Sequence, residues 1–269
     1  MDVSALTAAA FGEHPDCWPL PAGDTPEQLW LRAVAAAGQG RYSSSRADLA
    51  ELRRRDAAGA FASLASSTEA SLLRQLGGHR SAAGWDGRAL ALAQTAGDHP
   101  MSVQACADAI VGLAADALGV GRLAASARLL ERAGELTDGS RVPRLAVRLQ
   151  WVRAELAMAG GCGEEAVTHA RLGIEIAEQV SPALRRHRVK SDVVLAAALC
   201  CAGALEPART VADAALRDTE TYGLVPLRWA LACLLIDIGS ASLTSQQVSA
   251  IRDDCAGLIT RRGGRWSRG

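Results

Sequence analysis

Glycine recurs at Gly40, Gly78, Gly121, Gly161, Gly203 and Gly239, at gaps of 38, 43, 40, 42 and 36 residues. Each of these glycines separates two stretches rich in alanine and leucine with the spacing of helices. A glycine between two such stretches ends one helix and lets the chain turn into the next. Repetition at a near-constant period of this size is the mark of stacked helix pairs, each too small to bury its own apolar face and completed by its neighbours. A chain built this way grows along one axis and exposes a long surface on each side.

The composition agrees with that reading. Of 269 residues, 49% are hydrophobic and only 4% aromatic. Small, good helix formers in such excess suit close-packed helices and leave little material for a sheet. Basic and acidic residues balance at 29 each, so no overall charge draws the chain to nucleic acid or to an anionic membrane. Lys190 is the only lysine, and asparagine is absent. The seven cysteines (Cys17, Cys106, Cys162, Cys200, Cys201, Cys233 and Cys255) form no CxxC pair and fall mostly in helical stretches, where a thiol acts as a small hydrophobe. Neither a disulfide framework nor a metal site is expected. Residues 1–11 lack the basic start of a secretion signal, and every long apolar run is broken by charge or glycine. The expectation is a soluble cytoplasmic protein with no membrane contact.

Three regions follow: a proline-containing leader at 1–25, a helical-repeat domain at 26–261, and an arginine- and glycine-rich tail at 262–269. The helix pairs are expected at 26–38 with 43–56, 58–77 with 79–96, 100–119 with 122–137, 141–159 with 163–180, 182–202 with 205–221, and 225–238 with 245–261. Asp24 or Thr25 caps the first of these, with Pro26 in its first turn. Ser181-Pro182 opens another, Thr244 with Gln247 has capping-box spacing, and Asp98 stands ahead of Pro100. Gly139 and the Gly263-Gly264 pair mark stops. The fold class is all-α.

Aligned on the glycines, the strings GRYSSS, GHRSAA, GRLAAS, GCGEEA and GALEPA place a small residue five positions later: Ser45, Ala83, Ser126, Ala166 and Ala208. A small side chain is needed where the second helix of a hairpin crosses the first. Tyr42, Leu123 and Leu205, two positions after the glycine, are expected to plug the gap between the helices. This pattern resembles the tetratricopeptide repeat, whose turn reads roughly G-x-Y-x-x-A, over about residues 26–261. The resemblance implies a right-handed solenoid of about six antiparallel helix pairs with a concave groove lined by the first helix of each pair. It is similar to the long, degenerate repeats in the sensor halves of bacterial regulators. The period near 40 is longer than the family's 34, and a HEAT- or armadillo-like array is the structural alternative.

Trp30, Trp151 and Trp229 stand ten residues before their glycines. By the family's pattern that position faces the groove, where tryptophan makes an effective anchor; shifted by one residue, it faces the core between helices. Two basic clusters, Arg141, Arg144, Arg148 and Arg153, and Arg185, Arg186, Arg188 and Lys190, fall on adjacent first helices. Arg148 and Lys190 both lie 13 residues before their glycine. Together with Arg144 they suit an acidic segment or a terminal carboxylate, whereas a plain solvated face is the simpler use of such runs. The carboxylate clamp of chaperone-binding relatives needs lysines and asparagines, and is absent here. The tail RRGGRWSRG reads as a short arm or a free end.

No GxSxG, Walker loop, HExxH or strand-borne GxGxxG occurs, and His14, His79, His99, His169 and His187 have no recurring acidic or cysteine partner. The adjacent Cys200-Cys201 pair diverges on a helix. The functional expectation is therefore a non-catalytic, cofactor-free repeat scaffold that binds a protein or peptide segment in its groove. Trp30, Trp151 and Trp229 serve as anchors and Arg144, Arg148 and Lys190 as charge-orienting groups. The alternative is a ligand-responsive regulator acting on a transcription partner. Direct DNA binding is not expected.

Overall fold

The computed structural model of the chain describes residues 3–138, 142–180 and 183–267. Thirteen α-helices occur among them, and no strand. A short α1 (Val3–Ala10) precedes twelve longer helices: α2 (Pro26–Gly38), α3 (Tyr42–Arg55), α4 (Gly59–Arg74), α5 (His79–Gln94), α6 (Ser102–Gly119) and α7 (Leu123–Thr137), followed by α8 (Pro143–Ala159), α9 (Gly163–Glu178), α10 (Arg185–Cys201), α11 (Leu205–Thr221), α12 (Val225–Ile238) and α13 (Ser245–Arg261). Each helix packs mainly on its neighbours in sequence.

The caps explain many of the boundaries. Thr25 and Gln28 exchange side-chain and backbone bonds at the start of α2, as do Thr244 and Gln247 at α13. Asp98 does not cap α6, which starts later, at Ser102. There the His99 ring accepts from the Met101 amide and Ser102 bonds the Gly97 carbonyl. The expected stop at Gly139 and start at Ser181-Pro182, and Arg141 of the basic cluster, lie outside the described residues.

The turns after α2, α4, α6, α8 and α10 share one geometry, which the turn after α11 also has and the turn after α12 does not. After α8, the Gly161 amide donates to the Met158 carbonyl and the Cys162 amide to the Ala157 carbonyl. That is the Schellman closure, in which the glycine sits at positive φ, here 75°. The same bonds close α2, α4, α6 and α10. In the α4–α5 turn, however, the left-handed residue is Gly77 (φ 83°), while Gly78 is an ordinary N-cap residue. The register there is therefore one residue earlier than the sequence alignment placed it. With that correction the residue five positions on is Ala82, fully buried, and Ala83 is only half-buried. Ser45, Ser126, Ala166 and Ala208 are likewise fully buried. All five sit where one helix of a pair crosses the other, and the Ser45 hydroxyl there bonds the Ala33 carbonyl of α2.

The plug expectation holds only for Tyr42, fully buried with its hydroxyl 3.0 Å from Gln75 Oε1. Leu123 is half-buried and Leu205 is 42% exposed. Tyr42 is enclosed because the chain's two ends meet around it. The Ser43 amide donates to the Arg262 carbonyl at 2.9 Å, Arg46 reaches the Gly263 carbonyl, Arg262 the Gln39 carbonyl, and the Ser267 amide the Leu76 carbonyl. One core cluster accordingly joins Leu6, Trp30, Tyr42 and Leu76 to Val225, Cys255 and Ile259. The tail is docked as far as Ser267, with the Trp266 ring 4.5 Å from that of Trp229. The leader is docked as well. Its helix α1 buries Leu6, Ala9 and Ala10, and the Gly12 carbonyl accepts from the Arg185 amide of α10. Eight residues nearly without polar positions carry no readable period, so α1 is invisible in the sequence.

By length and composition alone, α6 is apolar enough to cross a membrane. It is packed between α4, α5, α7 and α8 and carries two buried carboxylates, Asp108 and Asp116, each held by arginine.

Candidate functional site

A cavity of about 450 Å³ opens on one side of the helix array. Its walls come from α2, α4, α6, α8, α10 and α12, the first helix of each pair, with Phe11 from the leader and His79 from α5. Helical spacing explains which residues arrive there. On α8 these are Arg144, Arg148, Trp151 and Glu155, at i, i+4, i+7 and i+11, which share one face. Asp108, Val111 and Ala115 do the same on α6, and Arg186 and Lys190 on α10.

All six residues singled out from the sequence line this cavity: Trp30, Trp151, Trp229, Arg144, Arg148 and Lys190. The choice between groove and core does not separate the tryptophans, because the wall of the cavity is also the edge of the core. Trp30 is 4% exposed, belongs to the core cluster, and donates from Nε1 to Thr68 Oγ1 at 3.2 Å. Trp151 is half-buried, donates to Ser191 Oγ at 2.8 Å, and stacks on His187 with centroids 5.3 Å apart and planes at 21°. Trp229 is half-buried and backed by Trp266. Of the rest of the basic clusters, Arg188 turns outward to Glu178 and Asp192, Arg185 is exposed, and Arg153 lines a separate shallow depression with His169.

The charges around the cavity are unevenly answered. Asp108 accepts from Arg144 Nη2 at 2.5 Å and also from Arg148, so one carboxylate serves two guanidiniums. Lys190 Nζ is 3.2 Å from Glu155 Oε1. Arg74, itself in the cavity wall, bridges Asp86 at 2.9 Å and Asp116 at 2.8 Å. Arg186 has neither an ion pair nor a hydrogen bond among the described residues, and its Nε is buried. Burial lowers the pKa of Arg144 to about 9 and of Arg148 and Arg186 to about 10; for Arg186, the nearby Arg144 and Arg148 lower it further. All three stay protonated at neutral pH. His187 is pushed well below its ordinary pKa, first by burial and then by the three arginines, and is neutral. Behind Arg74, burial raises Asp86 to about 7, with Arg74 pulling down and Asp116 pushing up.

Phe11 completes the wall. Its ring lies 5.4 Å from Trp30 and 6.0 Å from His187, and the Arg144 guanidinium carbon sits 4.8 Å from its centroid, a cation–π contact. Phe11, Arg74 and Asp108 were not picked out from the sequence, and Arg186 only as part of a charge run. For two of them a signal exists. Asp108 lies 13 residues before Gly121, as Arg148 and Lys190 lie before their glycines, and Arg144 and Arg186 both lie 17 before theirs. Phe11 and Arg74 follow from how distant helices meet, which no spacing encodes.

Among the described residues no group of three His, Cys, Asp or Glu side chains is placed to hold a metal ion. The seven cysteines are free thiols. The cavity thus offers fixed cationic donors, aromatic faces and an apolar floor. Compared with known proteins, the chain matches no protein-family model and no curated protein in sequence.

Proposed function

We propose that this chain is a non-catalytic receptor of the helical-repeat type, which binds a small ligand or the short end of a partner protein within its concave cavity and presents the occupied state to a protein partner. The observation that carries the reading is the convergence of all six first helices on one cavity of about 450 Å³, the size of small-molecule sites. A solenoid groove for a long extended peptide runs open along the repeats; here Phe11 of the leader stands in the wall, and Trp266 of the tail backs Trp229. This favours the ligand-responsive regulator over the open scaffold. The helix pairs themselves we read as degenerate, long tetratricopeptide-like repeats wound in a right-handed superhelix. The shared Schellman turn and the buried small residue five positions after its glycine support this. Binding in such a cavity shifts the protein toward whichever spacing of the helices the ligand contacts best.

The test is a thermal-shift screen of metabolites and short synthetic peptides against the wild-type protein and Trp151→Ala. A compound that raises the wild-type Tm, and raises that of Trp151→Ala little or not at all, supports a cavity receptor. A partner protein that binds wild type and Trp151→Ala equally, with no compound shifting the wild-type Tm, refutes it and moves the working surface to the outer helices.

A further inference from the structure

We infer that the ligand is an organic anion whose carboxylate or phosphate group docks on Arg186, beside Arg144 and Arg148, while a flat apolar body lies against Trp151 and Trp229. The inference rests on the receptor reading above and specifies the chemistry of its ligand.

Three guanidiniums line the one cavity, and between them they have a single ion-paired carboxylate, Asp108. The other acids nearby are committed elsewhere, Glu155 to Lys190, and Asp86 and Asp116 to Arg74. Arg186 is left with a buried Nε and no acceptor. A guanidinium with a buried Nε and no acceptor is costly, and beside two others it is costlier still. Folded proteins keep such arrangements mainly where a ligand supplies the missing charge. The fork of an arginine presents paired donors that match the oxygens of a carboxylate or phosphate.

Local structure holds Arg186 in place. It reaches from α10 to the end of α2, where a Cβ added to Gly38 would stand 2.9 Å from its Cδ. A side chain at position 38 would push that stem aside. The apolar half of the site is equally built: Trp151 is fixed by its bond to Ser191 and its stack on His187, and Trp229 by Trp266. Because His187 is neutral, it backs Trp151 without adding charge.

Three probes with one ring system separate the possibilities: 2-naphthylacetate, 2-naphthyl phosphate and the neutral 2-naphthaleneethanol, titrated calorimetrically. The wild type is expected to bind one or both anions roughly tenfold or more tighter than the alcohol, the size of a lost charge-assisted bond. The tighter of the two anions tells carboxylate from phosphate. In Arg186→Met that preference disappears, whereas Arg186→Lys keeps part of it. The ligand-free Arg186→Met protein also melts higher than wild type, because an unanswered buried charge is gone and the apolar stem remains; a merely structural arginine would give a lower Tm. Equal affinity of wild type for anions and alcohol, or an undiminished preference in Arg186→Met, overturns the anion site and leaves the cavity receptor standing. No binding of any of the three overturns both. Should Arg186→Met not fold, the wild-type preference and its change in Arg186→Lys decide.

Discussion

Asp86 offers a sharp test of how the interior is balanced. Its side chain is fully buried on α5, where α4 presents Arg74 and Ser67, α6 presents Asp116, and α8 brings Arg148. His79, from its own helix, lies 3.7 Å from Asp116. One oxygen of Asp86 has no partner, and Gly112 passes so close that an added Cβ would stand 2.2 Å from the other. Burial outweighs Arg74 and raises the Asp86 pKa from 3.8 to about 7. A carboxyl whose pKa is higher in the folded than in the unfolded state binds its proton more tightly on folding. Its contribution to stability is fully present below pH 4 and is lost as the pH rises to 7. At about 1.4 kcal/mol per tenfold change in proton affinity, that loss approaches 4 kcal/mol above pH 7. Asp86→Asn, which mimics the protonated form in nearly the same volume, is therefore expected to be more stable than wild type at pH 8, by up to about 4 kcal/mol. The gain should shrink toward zero by pH 4. Urea unfolding of both proteins at intervals from pH 4 to 8 measures the difference. A difference that stays flat with pH, or an Asn variant less stable at pH 8, would refute the reasoning and show that Asp86 is held ionised by Arg74.

Other perturbations follow from the same packing. Ala208→Leu, at a fully buried helix crossing, should cost roughly 1–3 kcal/mol by forcing the α10–α11 pair apart, whereas Leu205→Ala, three residues earlier and exposed, should change stability by less than about 0.5 kcal/mol. Chemical unfolding of the two variants compares them directly, and equal effects would place the crossing elsewhere. Removal of residues 262–269 deletes the Trp266 contact with Trp229 and the bonds of Arg262, Gly263 and Ser267 to Gln39, Arg46 and Leu76. The truncated protein should show a larger radius of gyration in X-ray scattering and red-shifted tryptophan emission; an unchanged profile would mean that the ends stay joined without the tail.

The helices and their turns were legible in the sequence to within a few residues, because both follow from local rules. Glycine at positive φ, a cap three residues from its partner and a 3.6-residue apolar period all act over less than two turns of chain. The one slip of register, Gly78 for Gly77, arose where two glycines stand together and either can satisfy the sequence pattern. Only the backbone hydrogen bonds choose between them. The spacing brought out Trp30, Trp151, Trp229, Arg144, Arg148 and Lys190 but left open whether the tryptophans face groove or core, and the structure places all six along a cavity that borders the core. What those residues meet depends on contacts between distant parts of the chain. The tail docks on the first helices through bonds spanning more than 200 residues, such as Arg262 to Gln39, and the leader docks on α10 through Gly12 and Arg185. Such long-range packing sets Phe11 beside Trp30, Trp266 behind Trp229, and Arg186 against Gly38 with its charge unanswered. Spacing along the chain thus determined which side chains share a helix face, while the packing of distant helices, leader and tail decided what those side chains meet, because contacts between residues far apart in sequence leave no local pattern.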